Sequence, residues 1–228
     1  MIKVSIVVTF YNAKTNLRPC LESILKQDTE PKSFEVILID NNSTDTSAES
    51  ISELVAKYDN IHLLEEKKAG VVAARNCGIV KASGEVIVFL AANMTLKKDF
   101  LSQIEWIYRD QSTVMHCGPV HKSTTTWFHV YKGLWNLGSS SKEIHADTHF
   151  NGCNMSFRAD KLKKFDINLR RDNHKASTIA EYVTVKRLLS NEGICRYEPQ
   201  AAAYIAAPSL RSWKQVIKNE FLRGQRAQ

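Results

Sequence analysis

The chain has 228 residues, 43% of them hydrophobic and 24% charged, with a formal net charge of +7. That balance suits one globular domain and excludes disorder as the main state. The longest wholly apolar runs, Val86 to Ala92 and Ala201 to Ala207, fall far short of the ~20 residues a membrane-spanning helix needs.

In chain order, Lys3 to Phe10 is β-branched and apolar, as a strand buried on both faces should be. Thr15 is placed to cap a helix whose apolar face is Leu17, Cys20, Leu21, Ile24 and Leu25. Phe34 to Ile39 is a second buried strand ending in Asp40. Asn41-Asn42-Ser43-Thr44-Asp45 is a turn cluster in which Asp45 should cap the following helix, which runs to about Lys57. Ile61 to Leu64 is a short strand, Gly70 to Ala82 a helix, Glu85 to Leu90 a third long strand and Lys98 to Arg109 a helix. This alternation predicts an α/β domain with a mostly parallel central sheet and helices on both faces. Ligands in such sheets sit beyond the carboxyl ends of the strands, where Tyr11-Asn12, Asp40-Asn41 and Ala91-Ala92-Asn93 fall. No Gly-x-Gly-x-x-Gly or Walker lysine loop follows the first strand, which disfavours the ordinary dinucleotide and P-loop readings.

The second half is less regular. Thr113 to Val120 reads as a strand, Thr124 to Leu137 as a helix, Asn151 to Arg158 as a strand and Thr178 to Ser190 as a helix. One or two strands surround Pro199, and Ser209 to Arg226 is a final helix. Trp127, Tyr131 and Trp135 share one helical face, suited to core packing or to an acceptor or subunit contact, so a homo-oligomer stays open. The last helix carries Arg211, Lys214, Lys218, Arg223 and Arg226 against one acid, Glu220. It suits either packing on the domain or the surface of an anionic membrane. Five scattered cysteines without a Cys-x-x-Cys pair, and an N-terminus without a signal-peptide pattern, point to the cytoplasm, with the inner face of the membrane as the open alternative. No helix-turn-helix, zinc-finger or RNA-recognition signature accompanies the basic charge, so no nucleic-acid partner is expected.

Five stretches in order carry a resemblance. They are V-S-I-V-V-T-F-Y-N-A, V-I-L-I-D-N-N-S-T-D, G-V-V-A-A-R-N-C-G-I-V-K-A-S-G-E-V-I-V-F-L, N-G-C-N-M-S-F-R-A-D, and R-Y-E-P-Q with a later F-L-R-G. Together the sequence resembles the family 2 glycosyltransferases of the GT-A fold along nearly its whole length. The resemblance implies a single GT-A domain over 1–228. Within it, 1–110 would be the nucleotide-binding half, 111–208 the acceptor and catalytic half, and 209–228 the basic amphipathic helix. It implies sugar transfer from a nucleotide diphosphate, a UDP-sugar favoured, to a glycan or lipid-linked hydroxyl, with inversion. Thr9, Tyr11, Asn12, Asp40, Asn42 and Arg75 would then contact the nucleotide, and Asn151, Gly152, Trp127 and Trp135 the acceptor.

The sequence departs from the family where the chemistry lies. The Asp-x-Asp that usually holds a divalent metal is replaced by Ala91-Ala92-Asn93, and the family's later metal-facing histidine by Ile205. No Mg²⁺ or Mn²⁺ cofactor is therefore expected. The position of the base that deprotonates the acceptor holds Glu181 instead of aspartate. Asn93 and the basic stretch with Arg170, Arg171 and Lys175 are the remaining candidates for the diphosphate. Two readings stay open: an enzyme that works without metal, or a catalytically disabled GT-A protein kept for binding or regulation. An engineered inactive variant is a third.

Overall fold

The computed structural model describes residues 3–122, 142–143, 154–164 and 192–205. The expected helices over Thr124 to Leu137, Thr178 to Ser190 and Ser209 to Arg226 lie outside the described residues.

The first half follows the predicted rhythm: β1 (Val4–Phe10), α1 (Lys14–Leu25), β2 (Phe34–Asp40), α2 (Ser52–Lys57), β3 (Ile61–Glu65), α3 (Val71–Lys81) and β4 (Val86–Ala91). Then come β5 (Met94–Leu96), α4 (Phe100–Ile107), β6 (Thr113–Cys117), β7 (Val120–Lys122), β8 (Lys142–Glu143), β9 (Asn154–Arg158), α5 (Ala159–Lys164), β10 (Ile194–Tyr197) and β11 (Ala203–Ile205). An eight-stranded sheet has the order β3-β2-β1-β4-β9-β6-β10-β8, and a three-stranded sheet the order β5-β11-β7. The pairs β1–β2, β1–β4, β2–β3 and β6–β10 are parallel, while β9 runs antiparallel between β4 and β6.

Two apolar layers sandwich the large sheet. One joins Val4, Ile6, Val8, Leu38 and Val88 to α1 and α4 through Leu17, Leu21, Ile24, Phe100 and Ile104. The other joins Val7, Ile37, Ile39, Ile87 and Phe89 to α3 and α5 through Ala74, Ile79 and Leu162. The continuous apolar strands are thus buried on both faces because both faces are covered. Gly78 allows the closest approach of α3, since a Cβ there would collide with the Val7 side chain.

Three local expectations are corrected. Thr15 does not cap α1: the helix starts at Lys14 with Ala13 before it and no side-chain cap of its own. Asp45 does not cap the following helix. Its carboxylate accepts from Ser47 and from the N–H of Lys14, at the start of the preceding α1. The strand expected over Thr113 to Val120 breaks at Gly118-Pro119 and continues in the other sheet. Pro119 has no N–H for a ladder, and Gly118 donates to the Asn154 carbonyl at 3.2 Å.

Candidate active site at the strand ends

Register aligns the carboxyl ends of three strands. Thr9 sits level with Ile39 and Ala91, and Phe10 with Asp40. Tyr11 follows directly and is 60% exposed, which presents an aromatic face at the rim. Thr9 alternates with Val7 on the face covered by α3. From α3, Arg75 lies over the ring of Phe89, 5.3 Å from its centroid.

Three asparagines lock the rim. Asn12, at φ 50°, accepts from the backbone N–H groups of Thr44 (2.8 Å) and Asp45 (3.3 Å) and donates to the Thr44 hydroxyl. Ser43 and Ser47 hydroxyls accept from the N–H groups of Asn12 and Ala13. The start of α1 is therefore capped by a loop some thirty residues later. Asn41 Nδ2 donates to the carbonyls of Glu66 and Lys68, both at 2.8 Å, and its Oδ1 accepts from Gly70 N–H at 2.7 Å. Asn42, at φ 63°, donates to the carbonyls of Glu66 and Lys67. Asparagine enters the left-handed region more readily than most residues, and here both amides bond backbone of a later loop rather than of their own turn.

The ends of β1 and β2 thus each hold the loop after the next strand. The amides of Asn12 and Asn42, expected to meet the nucleotide, are engaged in holding these loops. Asp40 differs: Oδ1 accepts the Ser43 N–H at 2.9 Å, and Oδ2 has no hydrogen bond among the described residues. For Asp45, burial raises the carboxyl. The Ser47 hydroxyl, the Lys14 and Ser47 N–H groups and the Lys14 charge outweigh it and hold it below the usual carboxylate range.

The three positions read as former metal ligands lie on neighbouring segments. Ala91 ends β4, Asn93 is exposed in the turn to β5, and Ile205 of β11 pairs with Met94. An alanine and an isoleucine have no donor atom, and a carboxamide is a weak ligand for a hard cation. Among the described residues no group of three His, Cys, Asp or Glu could hold a metal ion. These side chains do not fit a divalent cation.

An open cleft of about 640 Å³, lined by Pro19, Glu22, Ser23, Lys26, Gln27, Leu96 and Lys98, lies at the far end of α1 from the rim. None of the strand-end residues lines it. Glu181, Arg170, Arg171, Lys175, Asn151, Gly152, Trp127 and Trp135 lie outside the described residues. The sequence reading missed β5 and the loop-locking roles of Asn41, Ser43 and Ser47. The available signal was the Asn-Asn pair directly after an apolar strand, which marks amides at a strand end but not the distant backbone they bond.

Relatives share this architecture. The chain is 34% identical over 117 residues to glycosyltransferase AglE of Haloferax volcanii, covering 50% of this chain and 36% of that protein. It is 34% identical over 176 residues to a poly(ribitol-phosphate) beta-glucosyltransferase of Bacillus spizizenii, covering 75% of this chain and 26% of that protein. The chain thus spans less than half the length of these curated relatives. The fold matches S. aureus TarS 1-349 in complex with UDP-GlcNAc at a TM-score of 0.72 and 18% identity, over 91% of this chain and 59% of that one. It also matches mannosyltransferase PcManGT from Pyrobaculum calidifontis in complex with GDP-Man and Mn²⁺ at 0.70 and 18% identity, over 91% and 58%. The family model for glycosyl transferase family 2 matches residues 5–165, and the chain belongs to that family.

Proposed function

We propose that the chain transfers a sugar from a uridine diphosphate donor to a hydroxyl of a cell-envelope glycan or lipid-linked acceptor, with inversion and without a divalent metal. The observation that carries this reading is the preorganised strand-end rim, where Tyr11 and the free oxygen of Asp40 stand beside loops locked by Asn12, Asn41 and Asn42. Tyr11 would stack on the base, and Asp40 Oδ2 would accept a base N–H. Arg75 would reach the ribose or phosphates from α3.

In the transfer step the acceptor oxygen forms a bond to the anomeric carbon as the bond from that carbon to the diphosphate oxygen breaks. Its electron pair leaves on the nucleotide diphosphate, and the hydroxyl proton passes to a base, for which Glu181 is the candidate. The charge on the leaving group needs cations in place of metal. Arg75 and the basic stretch with Arg170, Arg171 and Lys175 supply that chemistry. The names of the relatives support an envelope-polymer acceptor, among them a teichoic acid poly(glycerol phosphate) polymerase of Staphylococcus epidermidis. The basic segment 209–228 would bring the chain to the inner face of a membrane. The second reading, a disabled family member retained for binding, is favoured by the same three positions, Ala91, Asn93 and Ile205.

Calorimetry with UDP and GDP, each with Mn²⁺ and with chelator, tests the reading, followed by donor turnover. Expected are UDP binding unchanged by chelator, and slow transfer or donor hydrolysis. Binding that needs Mn²⁺ overturns the metal-free reading. Binding with no turnover of any UDP-sugar supports the disabled one. No response to any nucleotide diphosphate removes the donor site altogether.

A further inference from the structure

Asn154 begins β9 and is 1% exposed. Its Nδ2 donates to the Ala201 carbonyl at 2.9 Å and the Pro119 carbonyl at 3.1 Å. Its Oδ1 is buried with no hydrogen-bond partner. The two carbonyls fix the orientation, since a flipped amide would aim its oxygen at two acceptors. Those carbonyls lie on the two crossings from the large sheet to the small one: Gly118-Pro119 between β6 and β7, and 198–202 between β10 and β11. Asn154 also pairs with Leu90, just before the Ala91-Ala92-Asn93 turn. Gly118 leaves no room for a Cβ, which would meet the Ala201 carbonyl and the Asn154 amide. Two chain crossings therefore meet at the Asn154 side chain, one of whose polar atoms is left unsatisfied, while its backbone pairs with the strand that leads into the third.

We infer that Asn154 is a positioning residue for sugar transfer: it seats the three-stranded sheet, and with it the Asn93–Ile205 edge, against the strand-end rim. The link is direct, because β5 starts one residue after Asn93 and Met94 pairs with Ile205. The catalytic half of this inference rests on the transferase reading; the seating of the small sheet does not.

The test compares Asn154→Ala and Asn154→Asp with Ser156→Ala. Ser156 lies two residues along the same strand and bonds the Tyr108 hydroxyl and His116 Nδ1, each at 3.1 Å, rather than the crossings. In Asn154→Ala, amide hydrogen exchange should speed at least tenfold in 94–96, 118–122 and 202–205 while β1 and β2 stay protected. Donor turnover should fall at least tenfold in kcat with KM for the donor within threefold. Ser156→Ala should leave the pattern of exchange in the small sheet unchanged. In Asn154→Asp an ionised carboxylate faces two carbonyls, whereas the protonated acid donates one O–H. Its protection and kcat, each as a ratio to wild type, should recover as pH falls. Wild type carries the same Tyr108, His116, Cys117 and Glu198 around the position, so the ratio isolates the new carboxyl. Uniform loosening of both sheets, an equal effect of Ser156→Ala, or a ratio for Asn154→Asp indifferent to pH overturns the inference. If wild type transfers no sugar from any donor, the transferase reading falls, and the exchange and pH measurements still decide whether Asn154 seats the sheet.

Discussion

Ile205 stands opposite Met94 across the antiparallel β5–β11 ladder, one residue from Asn93. The proposal that Ala91, Asn93 and Ile205 replace metal ligands is tested at this place. Restoring them together as Ala91→Asp, Asn93→Asp and Ile205→His should create Mn²⁺-dependent nucleotide affinity of at least tenfold, about 1.4 kcal/mol. Calorimetry with and without chelator reads it. A triple variant as indifferent to Mn²⁺ as wild type would show that the three positions do not face one another.

A buried carboxylate ties the opposite end of the sheet. Glu35 Oε1 accepts from the Ser5 hydroxyl at 2.5 Å and from the Ser83 N–H and hydroxyl at 2.7 and 2.9 Å. His62 Nε2 is 3.7 Å from the other oxygen. Burial raises this carboxyl, but the Ser5 and Ser83 bonds and His62 outweigh it and hold it below the usual range. The folded form therefore binds its proton less readily than the unfolded chain. The stability it contributes is present above the ordinary carboxylate pKa and is lost as pH falls through the lower folded value. Glu35→Gln should cost about 1–3 kcal/mol at pH 7 and flatten that limb of a plot of Tm against pH.

His116 acts at higher pH. Burial pushes its imidazole down to about 3, against a smaller opposing contact with the Glu198 backbone. Between about pH 6.5 and 3 the unfolded chain takes up a proton that the fold refuses. Each pH unit lost in that window then removes up to ~1.4 kcal/mol of stability. His116→Leu should abolish this slope while leaving the Glu35 limb, which begins near pH 4, in place. Urea melts at half-unit pH steps separate the two.

The two left-handed asparagines give a paired test. Asn12→Gly keeps the backbone conformation and loses the bonds to Thr44 and Asp45, at a cost of about 1–2 kcal/mol. Asn12→Ala adds roughly 1 kcal/mol of backbone strain. An alanine variant as stable as the glycine variant would contradict the conformation at Asn12.

Helix propensity and packing oppose each other at Gly78. Alanine gains about 1 kcal/mol in a helix interior, yet its Cβ would strike Val7. Overpacking costs ~1–3 kcal/mol, so Gly78→Ala should be net destabilising. Gly78→Ala combined with Val7→Ala should recover part of the loss.

The sandwich was legible because its strands are long, apolar and β-branched, and because α1 shows its buried face at helical spacing. Caps were read less well. Thr15 and Asp45 are cap-type residues next to helices, yet α1 is capped by groups thirty residues away, a contact that local spacing does not carry. β5 has three residues, too few for alternation to register, and its partner β11 lies more than a hundred residues on. The positions of Asp40 and Tyr11 at the strand ends follow from their place after apolar strands. The sequence could not separate Asn12 and Asn42, whose amides lock loops, from residues free to meet a ligand, because both uses call for the same side chain.

The lock on residues 66–70 has an evolutionary consequence. Asn41 and Asn42 grip this loop through its carbonyls and the Gly70 N–H, so Lys67, Lys68 and Ala69 contribute only backbone to the lock and their side chains stay exposed. Mutation at those three positions leaves the anchoring intact. The loop beside Asp40 can thus change its side chains while the two asparagines keep its backbone in place.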